Sequence, residues 1–166
     1  MGAGYHGGFG ATKGSALKIL PSAGSTPAIK INVSKHDIIN ALRGVTDMST
    51  LIAENIENKN IGINILGDQL FEAVLGKTDN PEAINGFQMG RNVYIRRSAI
   101  TGYSIFVHEG THALDSVNGV PQHQIGSHQG EFKAFANEHD YQIKKGEKLD
   151  FKDYDDILVH IKINYK

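Results

Sequence analysis

Val107-His108-Glu109-Gly110-Thr111-His112-Ala113-Leu114-Asp115 is the stretch on which the reading of this 166-residue chain turns. It lies within Tyr103 to Val117, a proline-free run suited to a helix, with Thr101 as the expected N-cap and Gly119 followed by Pro121 as the expected stop. Val107, Gly110, Leu114 and Val117 recur at i, i+3, i+7 and i+10, which makes an apolar stripe to bury. On the opposite face His108 and His112 stand at i and i+4, so both imidazoles can point at one metal ion while Glu109 overlooks the same point. Two neutral nitrogens of this kind suit Zn2+. The ion then needs a third ligand from elsewhere and an open fourth position, where the pKa of a water falls to about 7. Glu109 is the expected general base, taking a proton from that water and delivering it to a leaving amine.

The rest of the composition narrows the setting. At this length one domain is expected, able to bury roughly two-thirds of its unfolded surface. Formal charge is −1 with both signs spread along the chain, so neither nucleic acid nor an anionic membrane is expected as a partner. There is no cysteine, which excludes thiolate chemistry and leaves His, Asp, Glu or water to hold any metal. No stretch approaches the eighteen or so apolar residues of a membrane span, and no signal peptide is read at the N-terminus.

Residues 1–30 hold seven of the nineteen glycines and two of the four prolines, and read as a flexible Gly-rich linker. Gly2-x-Gly4-x-x-Gly7 has no strand before it and no helix after it, so it is not read as a dinucleotide site. The folded domain is expected over 31–166. Ser34 with Asp37 forms a capping box for a helix ended by Gly44, and a second helix is expected from about Met48 to Asn58, presenting Leu51, Ile52 and Ile56. Ile61 to Ile65 alternates as a strand, Asp68 caps a short helix through Leu75, and Asn80 to Gly86 reads as loop. Phe87 to Met89 and Asn92 to Arg97 form a hairpin around Gly90-Arg91, with Val93 and Ile95 facing the core and Tyr94 and Arg96 facing out.

Gly119 to Gln129 reads as a loop, and its His123 and His128 are candidate extra ligands. A strong helix follows from Gly130 to Lys145, ended by Gly146. Phe132, Phe135, Ala136, His139 and Ile143 make one stripe, and Glu131, Ala134, Glu138 and Tyr141 another. This helix supplies the missing acid, and periodicity alone does not choose between Glu131 and Glu138. A final helix, capped by Asp153, is expected through Tyr165, with a strand over Ile157 to Ile163 as the alternative.

With His108-Glu109-x-x-His112 on one helix and a glutamate at the head of the next, the chain resembles the gluzincin branch of zinc metallopeptidases. More narrowly, HEGTHALD followed by a loop and EFKAFANE is similar to the short metallopeptidase modules of bacterial polymorphic toxins, and the glycine-rich Gly4 to Gly14 resembles the lead-in that often precedes them. The resemblance covers Asn92 to Lys145. It implies an α+β, minimal zincin-like fold: a small mixed sheet with an edge strand beside the HExxH helix, and a second, ligand-bearing helix. The edge strand, expected at Asn92 to Arg97, would pair with extended peptide substrate. Zn2+ is the implied cofactor, with His108, His112 and Glu131 as ligands. Glu131 falls nineteen residues after His112, close to the gluzincin separation, and reaching Glu138 instead would slide the helix by about 10 Å. The implied activity is hydrolysis of a protein or peptide substrate by a monomer that is secreted, or delivered into a target cell as part of a larger toxin, with a cognate immunity protein as a further partner.

The chain also departs from this pattern. Phe135 stands where the thermolysin pattern has an acid to orient the first histidine, so Asp115, seven residues after His108, is the candidate for that task. Tyr141 and His139 are candidates to stabilise the oxyanion, with Tyr141 preferred. Two other functions remain open on sequence: a metal-binding interaction module, and an amidase acting on something other than protein.

Overall fold

The structure, a computed structural model, describes residues 32–165; the expected linker over residues 1–30 falls outside the described residues. Two capped helices open the described part. Helix α1 (Lys35–Leu42) starts from the expected capping box of Ser34 and Asp37, and α2 (Asp47–Glu57) starts from a second box formed by Thr46 and Ser49. They pack through Ile38, Leu42, Ile52 and Ile56. Leu51, expected on the inner face, is exposed, because the buried arc of α2 runs through Ile52, Ala53 and Ile56.

Strand β1 (Gly62–Leu66) leads into α3 (Asp68–Leu75), which begins at Gly67 without a side-chain cap, so Asp68 is its first residue rather than its cap. After a turn of 3-10 helix at Pro81–Ala83 come β2 (Gly86–Met89) and β3 (Asn92–Arg96), the hairpin expected around Gly90-Arg91. Strand order is β1-β3-β2, with β1 parallel and β2 antiparallel to β3. This corrects the expected edge strand. Residues 92–96 lie in the middle of the sheet, with both rows of backbone groups occupied, and the strand at the edge beside the histidine helix is β2.

The alternation in β3 is as expected, but its outer face is not open to water. Val93 and Ile95 enter the main core. On the other face Phe71, Leu75, Ile84 and Phe87 form a second cluster under α3, and Tyr94 stacks on Phe87 at 4.8 Å. Arg96 is buried there. Its guanidinium lies 4.6 Å over the Phe71 ring, donates to the carbonyls of Ile84 and Pro81 at 3.0 and 2.7 Å, and reaches Glu72 at 3.1 Å. A buried charge with this many acceptors and a π-face is compensated rather than stranded.

Four helices complete the chain: α4 (Ser104–Val117), the four-residue α5 (Gln122–Ile125), α6 (His128–Lys145) and α7 (Tyr154–Asn164). α5 interrupts the expected Gly119 to Gln129 loop, and α6 starts two residues before Gly130, capped by Ser127. Asp153 caps α7, which is the expected helix and not the alternative strand. Phe135, Phe151, Ile157, Ile161 and Tyr165 close a third apolar cluster between α6 and α7. The described residues thus make an α+β fold of seven α-helices and one small mixed sheet. None of these helices is long and apolar enough to cross a membrane.

Candidate metal centre

Helix α4 is enclosed on every side: all residues from Ser104 to Asp115 are buried. The expected split into a core face and a metal face therefore becomes two buried faces. Gly110, between the histidines, lies close against α2, since a Cβ there would stand 2.7 Å from Ile52 Cγ2. Toward the sheet, Gly86 of β2 permits a similar approach, and a Cβ on it would stand 3.3 Å from Glu109 Cγ. Glu109 is thereby held against the edge strand, one position round the helix from the two imidazoles, and is 1 % exposed.

Helix α6 runs antiparallel to α4 and brings its acids to the histidines. Glu131 Oε2 lies 3.4 Å from His112 Nε2 and 3.7 Å from His108 Nε2, and all three side chains are fully buried. The three residues form a group whose ligand atoms lie within 4.8 Å of one another. A tetrahedral ion with bonds of about 2.0–2.1 Å sets neighbouring ligand atoms roughly 3.3–3.4 Å apart, so the His112–Glu131 spacing already matches and the His108–Glu131 spacing is slightly open. Both ring nitrogens of His112 and both oxygens of Glu131 are buried without a hydrogen bond. Polar atoms in that position are costly unless something satisfies them, and a cation would satisfy His112 Nε2 and the Glu131 carboxylate together. The residues fit a metal ion.

Glu138, two turns along α6 from Glu131, takes a different part. Its Oε2 is 2.9 Å from His108 Nδ1, both groups buried. The carboxylate accepts the Nδ1 proton, which leaves the Nε2 lone pair of His108 directed at Glu131 and the metal position. Orientation of His108 therefore falls to Glu138 and not to Asp115, which instead receives Lys133 Nζ. Phe135 packs edge-on against the His108 ring at 4.4 Å, so the residue that breaks the thermolysin pattern still holds the imidazole, by contact rather than charge. Burial on its own disfavours the imidazolium of His112. The Glu131 carboxylate, helped by Glu109 and Asp115, outweighs it and holds the His112 pKa above the ordinary 6.5.

Tyr141 does not join this group, which corrects its expected place beside a reacting carbonyl. Its ring is buried in the main core and its hydroxyl donates to the Ala41 carbonyl at 2.8 Å. His139 faces Tyr154, with ring centroids 5.6 Å apart. His123 is exposed, and the His128 ring nitrogen donates to the Tyr165 carbonyl at 2.6 Å, so neither loop histidine reaches the triad. The role of Glu138 had one sequence signal, its position seven residues after Glu131 on the same stripe.

No family model matches the chain, and neither a curated protein nor a solved structure matches it. What fold and site together define is an α+β protein with a buried His-His-Glu group, on two antiparallel helices, that can hold a metal ion.

Proposed function

We propose that the protein is a zinc-dependent endopeptidase of zincin-like architecture that acts as a toxin or effector domain. The observation that carries the reading is the His112–Glu131 pair at ligand spacing, its four polar atoms buried without hydrogen bonds, beside Glu109. Bound zinc supplies Lewis acidity that polarises a carbonyl and acidifies water. The chain's own residues do the rest. His108 and His112 bind through neutral nitrogens, Glu131 adds one negative charge, and Glu138 keeps His108 in the ligating tautomer. Glu109, next to the group and not part of it, takes the proton from the attacking water and passes it to the departing amine. The part played as an effector, with its immunity partner, draws on the resemblance of His108 to Glu138 to toxin modules.

The test is metal analysis of the purified protein together with proteolysis of a cell extract, with and without chelator. One zinc per chain and chelator-sensitive cleavage are the expected results. Complete burial of the triad favours a second reading, a metal-holding interaction module, because a structural zinc site is closed to water. Bound zinc without any cleavage, of extract protein or of a non-protein amide, would favour that module.

A further inference from the structure

Helix α4 carries both histidines but begins without a cap of its own. Tyr103 occupies the N-cap position and supplies no side-chain acceptor, so the first amides of the helix must be satisfied from elsewhere. Two of them converge on one carboxylate. Glu147 accepts from Tyr103 N at 3.0 Å through Oε2 and from Ser104 N at 3.2 Å through Oε1. It lies just past Gly146, whose left-handed backbone ends α6, and its own amide donates to the Gln142 carbonyl at 3.0 Å. The buried Gln142 side chain donates in turn to Ser104 Oγ at 3.1 Å and to Asp150 Oδ2 at 2.9 Å. Gly102 makes the approach possible, since a Cβ there would lie 2.4 Å from Glu147 Oε1.

We infer that Glu147 is a positioning residue for the metal centre. By capping α4 from the end of α6, it fixes the axial register in which His108 and His112 meet Glu131 and Glu138. The link to zinc rests on the function proposed above; the link to His108 does not. The four ligand-side residues lie on just these two helices, so sliding one along the other changes every distance at the site at once. At the opposite end, the register is marked by Lys133 and Asp115, a pair whose lysine is 47 % exposed and is correspondingly screened by solvent. The cap also acts close to the first histidine. In the helical ladder the His108 amide bonds to the Ser104 carbonyl, so loosening the first turn shifts His108 before His112.

The test compares Glu147→Ala, Glu147→Gln and Gly102→Ala with Ser34→Ala. The last removes the cap of α1, a helix that carries no ligand, and serves as a control for stability loss alone. Zinc affinity is measured by chelator competition, and the His108 Nδ1 proton is followed by NMR in the metal-free protein. Glu147→Ala and Gly102→Ala are expected to weaken zinc binding about tenfold and to broaden or shift the His108 resonance. Glu147→Gln, keeping one acceptor, should fall between them and the wild type. Ser34→Ala should lower stability and leave both readouts in place. Should Glu147→Ala fail to fold, Gly102→Ala and Glu147→Gln carry the comparison. Stability loss with wild-type zinc affinity and an unmoved His108 signal would overturn the inference. If the wild type binds no zinc, the proposed function fails, and the metal-free His108 signal alone decides for or against Glu147.

Discussion

Glu138→Ala removes the carboxylate from His108 Nδ1 and leaves all three proposed zinc ligands in the chain. Outer partners of ligating histidines contribute 10–100-fold to metal affinity, equivalent to about 1.4–2.7 kcal/mol. The upper part of that range applies here. The bond is 2.9 Å long and buried on both sides, so no bulk water is at hand to replace the lost oxygen. The alanine variant should therefore bind zinc roughly 50–100-fold more weakly. Glu138→Gln should lose only about tenfold, because an amide oxygen still accepts the Nδ1 proton but carries no charge. Competition against a chromophoric chelator at fixed pH measures both. Affinity within about twofold of wild type for the alanine variant would refute the orienting role. Loss as complete as in Glu131→Ala would make Glu138 a ligand and undo the helix register argued here.

Glu109→Gln should lower turnover by 10²–10⁴-fold while zinc stays bound, checked by metal analysis beside a cleavage assay. Tyr141→Phe should leave any turnover intact and cost about 1–2 kcal/mol of stability, since its hydroxyl serves only the Ala41 carbonyl; thermal unfolding reads this as a drop of a few degrees. For pH the sign follows from His112, whose pKa is raised above 6.5 by Glu131 against the pull of burial. Ligation needs the neutral ring, so zinc affinity should begin to fall above pH 6.5 on acidification. The metal-free protein behaves oppositely: the His112–Glu131 ion pair stabilises it fully below 6.5 and is lost as pH rises through the raised value. Zinc-induced gain in unfolding temperature, measured across this window, should thus shrink toward acid; a constant gain would contradict the assignment.

What the sequence disclosed was mostly local. The Ser34–Asp37 box and the i, i+4 histidines each lie within a few residues and appear in the structure where expected, whereas the stripes of α4 and α6 appear as helices whose burial differs: α4 is buried on both faces and Ile143 of α6 is exposed. Strand order is not local. Nothing within residues 92–96 says that β1 will pair on one side and β2 on the other, so the edge position expected at Asn92 to Arg97 rested on the family resemblance alone. Arg96 misled for the same reason: its acceptors at Pro81, Ile84 and Glu72 come from the loop and helix that cover the outer face. On α6, Glu131, Glu138 and Tyr141 share one stripe, but they meet different neighbours along α4 and α1, and only the packing tells them apart. The cap at Glu147 comes from forty-three residues beyond Ser104, past the reach of any capping signature.

The ligands are confined to one helical hairpin, and this bears on the order of events in folding. His112 and Glu131 are separated by nineteen residues, a loop that closes at little entropic cost, whereas pairing β1 with β3 must wait for α3 and the β2 turn between them. The α4–α6 hairpin therefore needs no strand of the sheet in order to close. The candidate chelating atoms are all supplied by residues up to Glu131, so none of them waits on α7. Were the triad to hold a metal, its loading and the collapse of this hairpin would be coupled, and the ion available at that moment, rather than the one favoured at equilibrium, would have the first opportunity to be enclosed.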